Sequence, residues 1–105
     1  MGLLSMPKFM KSKLGQDELQ LVPNPSSGVA QVRLNLDSQS QQINIIVRDA
    51  LGRLIFSESM VEASAGCRTL DLPSNQWSKG AYSVQVSFVK NGQSCLLHQF
   101  LHRIN

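Results

Sequence analysis

The chain has 105 residues, enough for one domain with a modest core. Hydrophobic residues make up 42% and charged residues 16%, which excludes a disordered composition, and no apolar run approaches the ~20 residues of a membrane-spanning helix. The net charge of +3 sits in the first fifteen residues, as Lys8, Lys11 and Lys13; from Gln16 onward seven basic residues meet seven acids. The body is therefore neutral and lacks the clustered basic footprint that nucleic-acid binding needs.

Residues 1–18 read as a flexible leader or linker remnant. The early lysines resemble the basic end of a signal peptide, but neither an apolar stretch of about 7–15 residues nor a small-residue cleavage site follows them. Pro7 interrupts any short amphipathic helix, so an interfacial membrane helix is the weaker reading.

A folded region is expected over residues 19–105, with an entry strand near "ELQLV" (18–22). "LVPNPSSG" (21–28) then makes a stiff corner. Pro23 and Pro25 fix their own φ and push Val22 and Asn24 toward extended backbone, and Ser26-Ser27-Gly28 supplies a turn. In "VAQVRLNL" (29–36) Ala30, Val32, Leu34 and Leu36 share one face, the alternation of a half-buried strand. "DSQSQQ" (37–42) reads as a polar loop. "INIIVRD" alternates again through Ile43, Ile45 and Val47, with Ile46 on the outer face.

"DALGR" (49–53) is a tight connection in which Asp49 starts the turn through its side chain and Gly52 takes the left-handed position. "LIFSESM" (54–60) is the return strand, with Leu54 and Phe56 in register and Glu58 or Met60 following. "VEASAGC" (61–67) reads as loop, and "CRTLDL" (67–72) as a short strand with Leu70 and Leu72 inward. "PSNQWSKG" (73–80) is a long turn. "AYSVQVSFV" (81–89) is the clearest strand, with Tyr82, Val84, Val86 and Phe88 inward. Asn91-Gly92 is a strong hairpin signal. The final strand, "SCLLHQFLHRIN", has two possible registers: Leu96, His98, Phe100 and His102 inward, or Cys95, Leu97, Gln99 and Leu101 inward. About seven short strands bounded by turn chemistry predict an all-β fold, a small antiparallel immunoglobulin-like β-sandwich.

Little in the chain points to catalysis. There is no phosphate-binding glycine loop, nucleophile elbow or zinc-protease motif. His98 and His102 share a strand face but lie ~13 Å apart by strand rise, too far for one metal ion. The acids are scattered singly, and Asp49 is most simply a turn residue. Cys67 and Cys95 fit no metal or redox spacing; they read as small, partly buried apolar side chains, with a disulfide left open. Neither an enzyme, a cofactor nor a metal site is called for. Trp77, the only tryptophan, reads as a cover over an open end of the sandwich, and as the contact residue of an alternative function, an adhesion or carbohydrate-binding module. Tyr82 is expected to bury its ring and bond its hydroxyl to nearby backbone.

The order of the turns says more than any one of them. "PNPSSG" (23–28) resembles the P-N-P-x-x-G opening of the C-terminal sorting domains of the type IX, or Por, secretion system of Bacteroidetes. "DALGR" is similar to that family's D-x-x-G-R hairpin, "RTLDL" to its short leucine strand and "SKGAYSVQV" (78–86) to its G-x-Y strand. A hairpin at "NGQ" then leads into the last strand. The resemblance covers about Leu19 to Asn105. It implies a non-catalytic signal at the end of secreted cargo, read by an outer-membrane translocon and in many cases removed by a sortase-like peptidase. The cargo is then joined to surface lipopolysaccharide or released, so that the parent protein, given a signal peptide, reaches the outer surface or medium through the periplasm. The positions carried over are Pro23, Asn24, Pro25, Gly28, Asp49, Gly52, Arg53, Gly80 and Tyr82, with Gln99, Phe100, Leu101, His102 and Arg103 as a C-terminal recognition strand. This sequence departs from the family in having Gln99 in place of a lysine, with Arg103 the one full positive charge of that strand. It also shows no signal peptide and no N-terminal cargo domain.

Overall fold

Alternating side chains and hydrogen-bonded turns build a two-layer sandwich in the computed structural model, which describes residues 17–104. The leader expected over residues 1–18 lies outside the described residues up to residue 16; Asp17 and Glu18 belong to the folded part, Glu18 as the first residue of the entry strand. The strands are β1 (Glu18–Val22), β2 (Ala30–Leu36), β3 (Ser40–Arg48), β4 (Leu54–Ala63), β5 (Gly66–Leu72), β6 (Gly80–Lys90) and β7 (Gln93–Arg103), with one 3-10 turn at Ser74–Gln76. One sheet has the order β1-β2-β5 and the other β4-β3-β6-β7. All the pairings are antiparallel. The fold is the expected small β-sandwich.

The core lies where the inward registers of the two sheets meet. Val32, Leu34 and Leu36 of β2, Ile43, Ile45 and Val47 of β3 and Val84, Val86 and Phe88 of β6 are all buried. Burying each such side chain contributes about 1.5–3 kcal/mol of transfer free energy. The final strand takes the second of its two registers: Leu101 is buried and Cys95 and Leu97 pack against the core, while His98 and Phe100 face outward. Asn91 and Gly92 both have positive φ, 52° and 77°, as a two-residue hairpin turn that follows the strand twist requires.

Two expected loops are partly strand. β3 begins at Ser40, inside the polar stretch 37–42, and a register shift lies between Gln41 and Asn44. β4 runs on to Ala63 and β5 starts at Gly66, so only Ser64 and Ala65 of the expected loop 61–67 connect them. Backbone groups make the ladder, so polar residues join it where a neighbouring strand offers partners. Ala63 faces Ser40 across β3 and β4, and Gly66 faces Leu36 across β2 and β5. The cysteines are free, Cys67 on β5 and Cys95 on β7; Cys67 is exposed rather than partly buried.

The chain enters at Asp17, beside the β6–β7 hairpin. Lys90 Nζ donates to Asp17 Oδ2 at 2.6 Å and to Asp37 Oδ1 at 2.8 Å, and the Asp37 N–H donates to Asp17 Oδ1 at 2.9 Å. The hydrogen bond from Lys90 holds the Asp37 carboxyl below its ordinary pKa of 3.8. Desolvation pulls the Lys90 ammonium down, but the hydrogen bonds to Asp17 and Asp37 outweigh it and place its pKa above 10.5.

A lowered acid gives stability that is present above its unfolded pKa and lost as pH falls through the folded value. A raised base gives stability that is present below its unfolded pKa and lost as pH rises through the folded value. The cluster therefore stabilises between these limits and fades below pH 3.8 and above pH 10.5. Lys90→Met is expected to lower stability by about 1 kcal/mol at neutral pH. In melts followed by circular dichroism the gap to the parent should close as pH drops below 3.8; a gap that persists unchanged at pH 2.5 would assign the loss to packing instead.

Candidate functional site

Strand direction brings the sequence motifs together. β1, β3, β5 and β7 all run toward one end of the sandwich, and β2, β4 and β6 start from it. The corner 23–28, the turn 49–53, the loop 73–79 and the end of β7 therefore lie at this motif end. The chain entry and the loops 37–39, 64–65 and 91–92 lie at the opposite, entry end.

The proline corner docks on the edge of β7. Both X-Pro bonds, Val22-Pro23 and Asn24-Pro25, are cis. Between the prolines, Asn24 turns its side-chain amide to the strand: Nδ2 donates to the Phe100 carbonyl at 2.7 Å and Oδ1 accepts the His102 N–H at 3.0 Å. One side chain thus does what a neighbouring strand would do, and it closes part of an otherwise open sheet edge. Ser26 continues the seal, its N–H donating to the His102 carbonyl at 2.8 Å and its carbonyl accepting the Ile104 N–H at 2.9 Å.

Arg103 locks the corner from inside. It occupies the inward register of β7 at 6% exposure. Nε donates to the Ser74 carbonyl at 2.6 Å, Nη1 to Ile104 at 3.1 Å and to Ser26 at 3.4 Å, and Nη2 to Asn75 at 3.4 Å, each through a backbone carbonyl. Ser74, fully buried, adds a second clasp: its Oγ accepts the Ala30 N–H at 2.8 Å and donates to the Gly28 carbonyl at 2.8 Å. The shared role of Ser26 and Ser74 was invisible in the sequence, because nothing in two serines nearly fifty positions apart signals that both bond Arg103 and Gly28.

The 49–53 turn is closed by its own aspartate. Asp49 Oδ1 accepts the N–H groups of Leu51 and Arg53, both at 2.9 Å, and Oδ2 accepts Arg53 Nε at 2.7 Å. The Arg53 backbone hydrogen bond, then its side chain, hold the Asp49 carboxyl below its ordinary value. Gly52 sits at φ 84°, where a β-carbon would be strained. At the start of β6 Tyr82 donates its hydroxyl to the Ser78 carbonyl at 2.5 Å, and its ring lies 5.1 Å from that of Trp77. Trp77 also meets Phe56, at 6.5 Å between centroids, so the indole covers this end of the core.

Of the expected recognition strand, Gln99, Phe100 and His102 are exposed while Leu101 and Arg103 are buried. His98 stacks edge-on against Phe100 at 4.6 Å, and its Nε2 lies 3.2 Å from Ser83 Oγ. Among the described residues no group of three or more His, Cys, Asp or Glu could hold a metal ion, and no helix is long and apolar enough to cross a membrane.

Residues 20–96 match the family described as the secretion system C-terminal sorting domain. The crystal structure of FLGD from P. aeruginosa is similar in fold, with a TM-score of 0.57 over 86% of this chain and 77% of that chain, at 19% identity. That likeness concerns the fold alone. No curated protein matches the chain.

Proposed function

This chain belongs to the secretion system C-terminal sorting domain family, and on that premise we propose that it is read as a folded label by the type IX outer-membrane translocon and directs attached cargo to the cell surface or medium. A C-terminal sorting signal for type IX secretion acts by being recognised, and its work needs no bond to be made or broken. The observation that carries the reading is the meeting of the motifs. The residues of the corner, the D-x-x-G-R turn and the G-x-Y strand are far apart in sequence, yet they share one end of the sandwich and are fixed there by hydrogen bonds. A surface meant to be read by a machine has to be rigid, because ordering it on contact would cost binding energy.

A sortase-like peptidase then needs an extended substrate outside the sheets. Glu18 to Leu21, just before the corner, are paired with β2. On this reading the cut falls before the entry strand. The proline corner, in turn, ends the entry strand before β2 begins and holds Asn24 against β7. Replacing Pro23 and Pro25 together by alanine is expected to blur the boundary seen in limited proteolysis, with new cuts inside 20–28; an unchanged cutting pattern would sink this role.

The direct test is a transplant. The full chain is fused behind a fluorescent reporter with an ordinary signal peptide, in a bacterium with a type IX system and in a secretion-deficient strain. Reporter outside the cell in the competent strain alone is the expected result. Reporter held in the periplasm of both strains, with the domain folded, would reject the export function.

A further inference from the structure

The neutral total conceals a separation of charge. At the motif end Arg48, Arg53, Lys79 and Arg103 outnumber Asp49 and Asp71, whereas at the entry end Asp17, Glu18, Asp37 and Glu62 outnumber Arg68 and Lys90. Of the two carboxylates of the motif end, Asp49 is paired with Arg53, while Asp71 keeps its charge. Asp49 is consumed by its turn, with a side chain only 12% exposed, and Asp71 Oδ1 accepts Gln31 Nε2 at 3.1 Å. Arg53 keeps 71% of its side chain in solvent beyond the bond from Nε, and among the described residues no ion pair involves Arg48 or Lys79. Even with Arg103 buried, Arg48, Arg53 and Lys79 exceed Asp49 and Asp71, so the outward field of this end is positive.

An open groove of about 380 Å³ lies between the 49–53 turn and the loop before β6. Its walls include the apolar side chains of Leu51, Ile55 and Trp77 together with the cations Arg53 and Lys79. Leu51 is 79% exposed, an apolar side chain at a turn tip that the fold itself does not use. Apolar walls beside the cation of Lys79, the solvent-facing part of the Arg53 guanidinium and an aromatic ring are the makeup of an interface anchor.

We propose that this groove docks an acid-rich polypeptide segment of the export machinery, one that places an apolar side chain against Leu51 and Trp77 and carboxylates against Lys79 and Arg53. Charge complementarity decides the choice of occupant: the basic end steers an acidic partner in and repels a basic one. It also sets the orientation, since the acidic entry end, where the cargo is attached, points away. The proposal rests on the sorting-signal reading above.

The test uses the full chain in the reporter fusion. Lys79→Glu on the groove wall, combined with Arg48→Glu just before the turn that forms the other wall, changes only exposed side chains and should leave the melting temperature unchanged while export falls at least tenfold. Lys79→Met combined with Arg48→Met is the second variant, should charge reversal disturb folding. Glu62→Lys, at the entry end, should export like the parent. A photo-crosslinking amino acid at Leu51 is expected to form an adduct, in the competent strain alone, that maps to a segment of a type IX component rich in Asp and Glu. Parental export by both double variants, or an adduct with lipid, glycan or a segment without acids, overturns the groove while leaving the sorting-signal reading intact. A parent fusion that is not exported removes the reading and the groove with it.

Discussion

Replacing Arg103 by methionine is expected to lower stability by about 3 kcal/mol, the scale of leaving several buried acceptors without a donor. The apolar stem is kept, so the loss comes from the guanidinium. Its bonds to the carbonyls of Ser74, Ser26, Ile104 and Asn75 tie β7 to the corner and to the 73–79 loop. Water cannot replace them easily at 6% exposure. For a domain of this size the melting temperature should fall by about 15 °C. Arg103→Lys keeps the charge but not the planar fork, and should recover only part of the loss. Asn24→Ala, at the exposed face of the same junction, should cost about 1 kcal/mol. Urea unfolding of the three variants checks the order; an Arg103→Met variant within 1 kcal/mol of the parent would mean that the carbonyls find water.

Phe88→Ala is the second large effect, at about 4 kcal/mol. Phe88 is 2% exposed and stands opposite Cys95 in the β6–β7 ladder, facing the other sheet. Truncation there leaves a cavity that two hydrogen-bonded layers cannot close by moving together. Phe100→Ala is the matched control. Phe100 is 55% exposed on the outer face of β7, so its loss should stay within about 0.5 kcal/mol. The pair also tests the strand register, because the rejected register would have buried Phe100. Equal losses for the two phenylalanines would return that register to consideration.

Where side chains alternate cleanly, the fold was readable in advance. The inward faces of β2, β3 and β6 are the residues that alternation assigns, and Asp49, Gly52, Asn91 and Gly92 make the turns their chemistry requires. β7 was not decidable, because both its faces mix apolar and polar residues and its inward face ends in a buried arginine that no hydropathy pattern assigns to a core. Ser40 and Ala63 joined strands for a related reason: a ladder bond depends on the neighbouring backbone, which local sequence does not display. At the candidate site, the turns were legible and their convergence was not. Asn24 looked like part of a stiff turn, yet its main role is to bond two backbone groups of Phe100 and His102, 76 and 78 positions later.

That separation has a kinetic consequence. Synthesis delivers the corner early and β7 only after every strand with which it pairs or packs. A chain whose closing contacts span most of its length folds slowly, because the loop entropy is lost before those contacts reward it. Until β7 is complete and folded back on β6, the corner has no strand to grip. The clasp at Arg103 then works as a latch set by time: it shuts only on a strand that has arrived whole, and a chain cut short within β7 never presents a finished motif end.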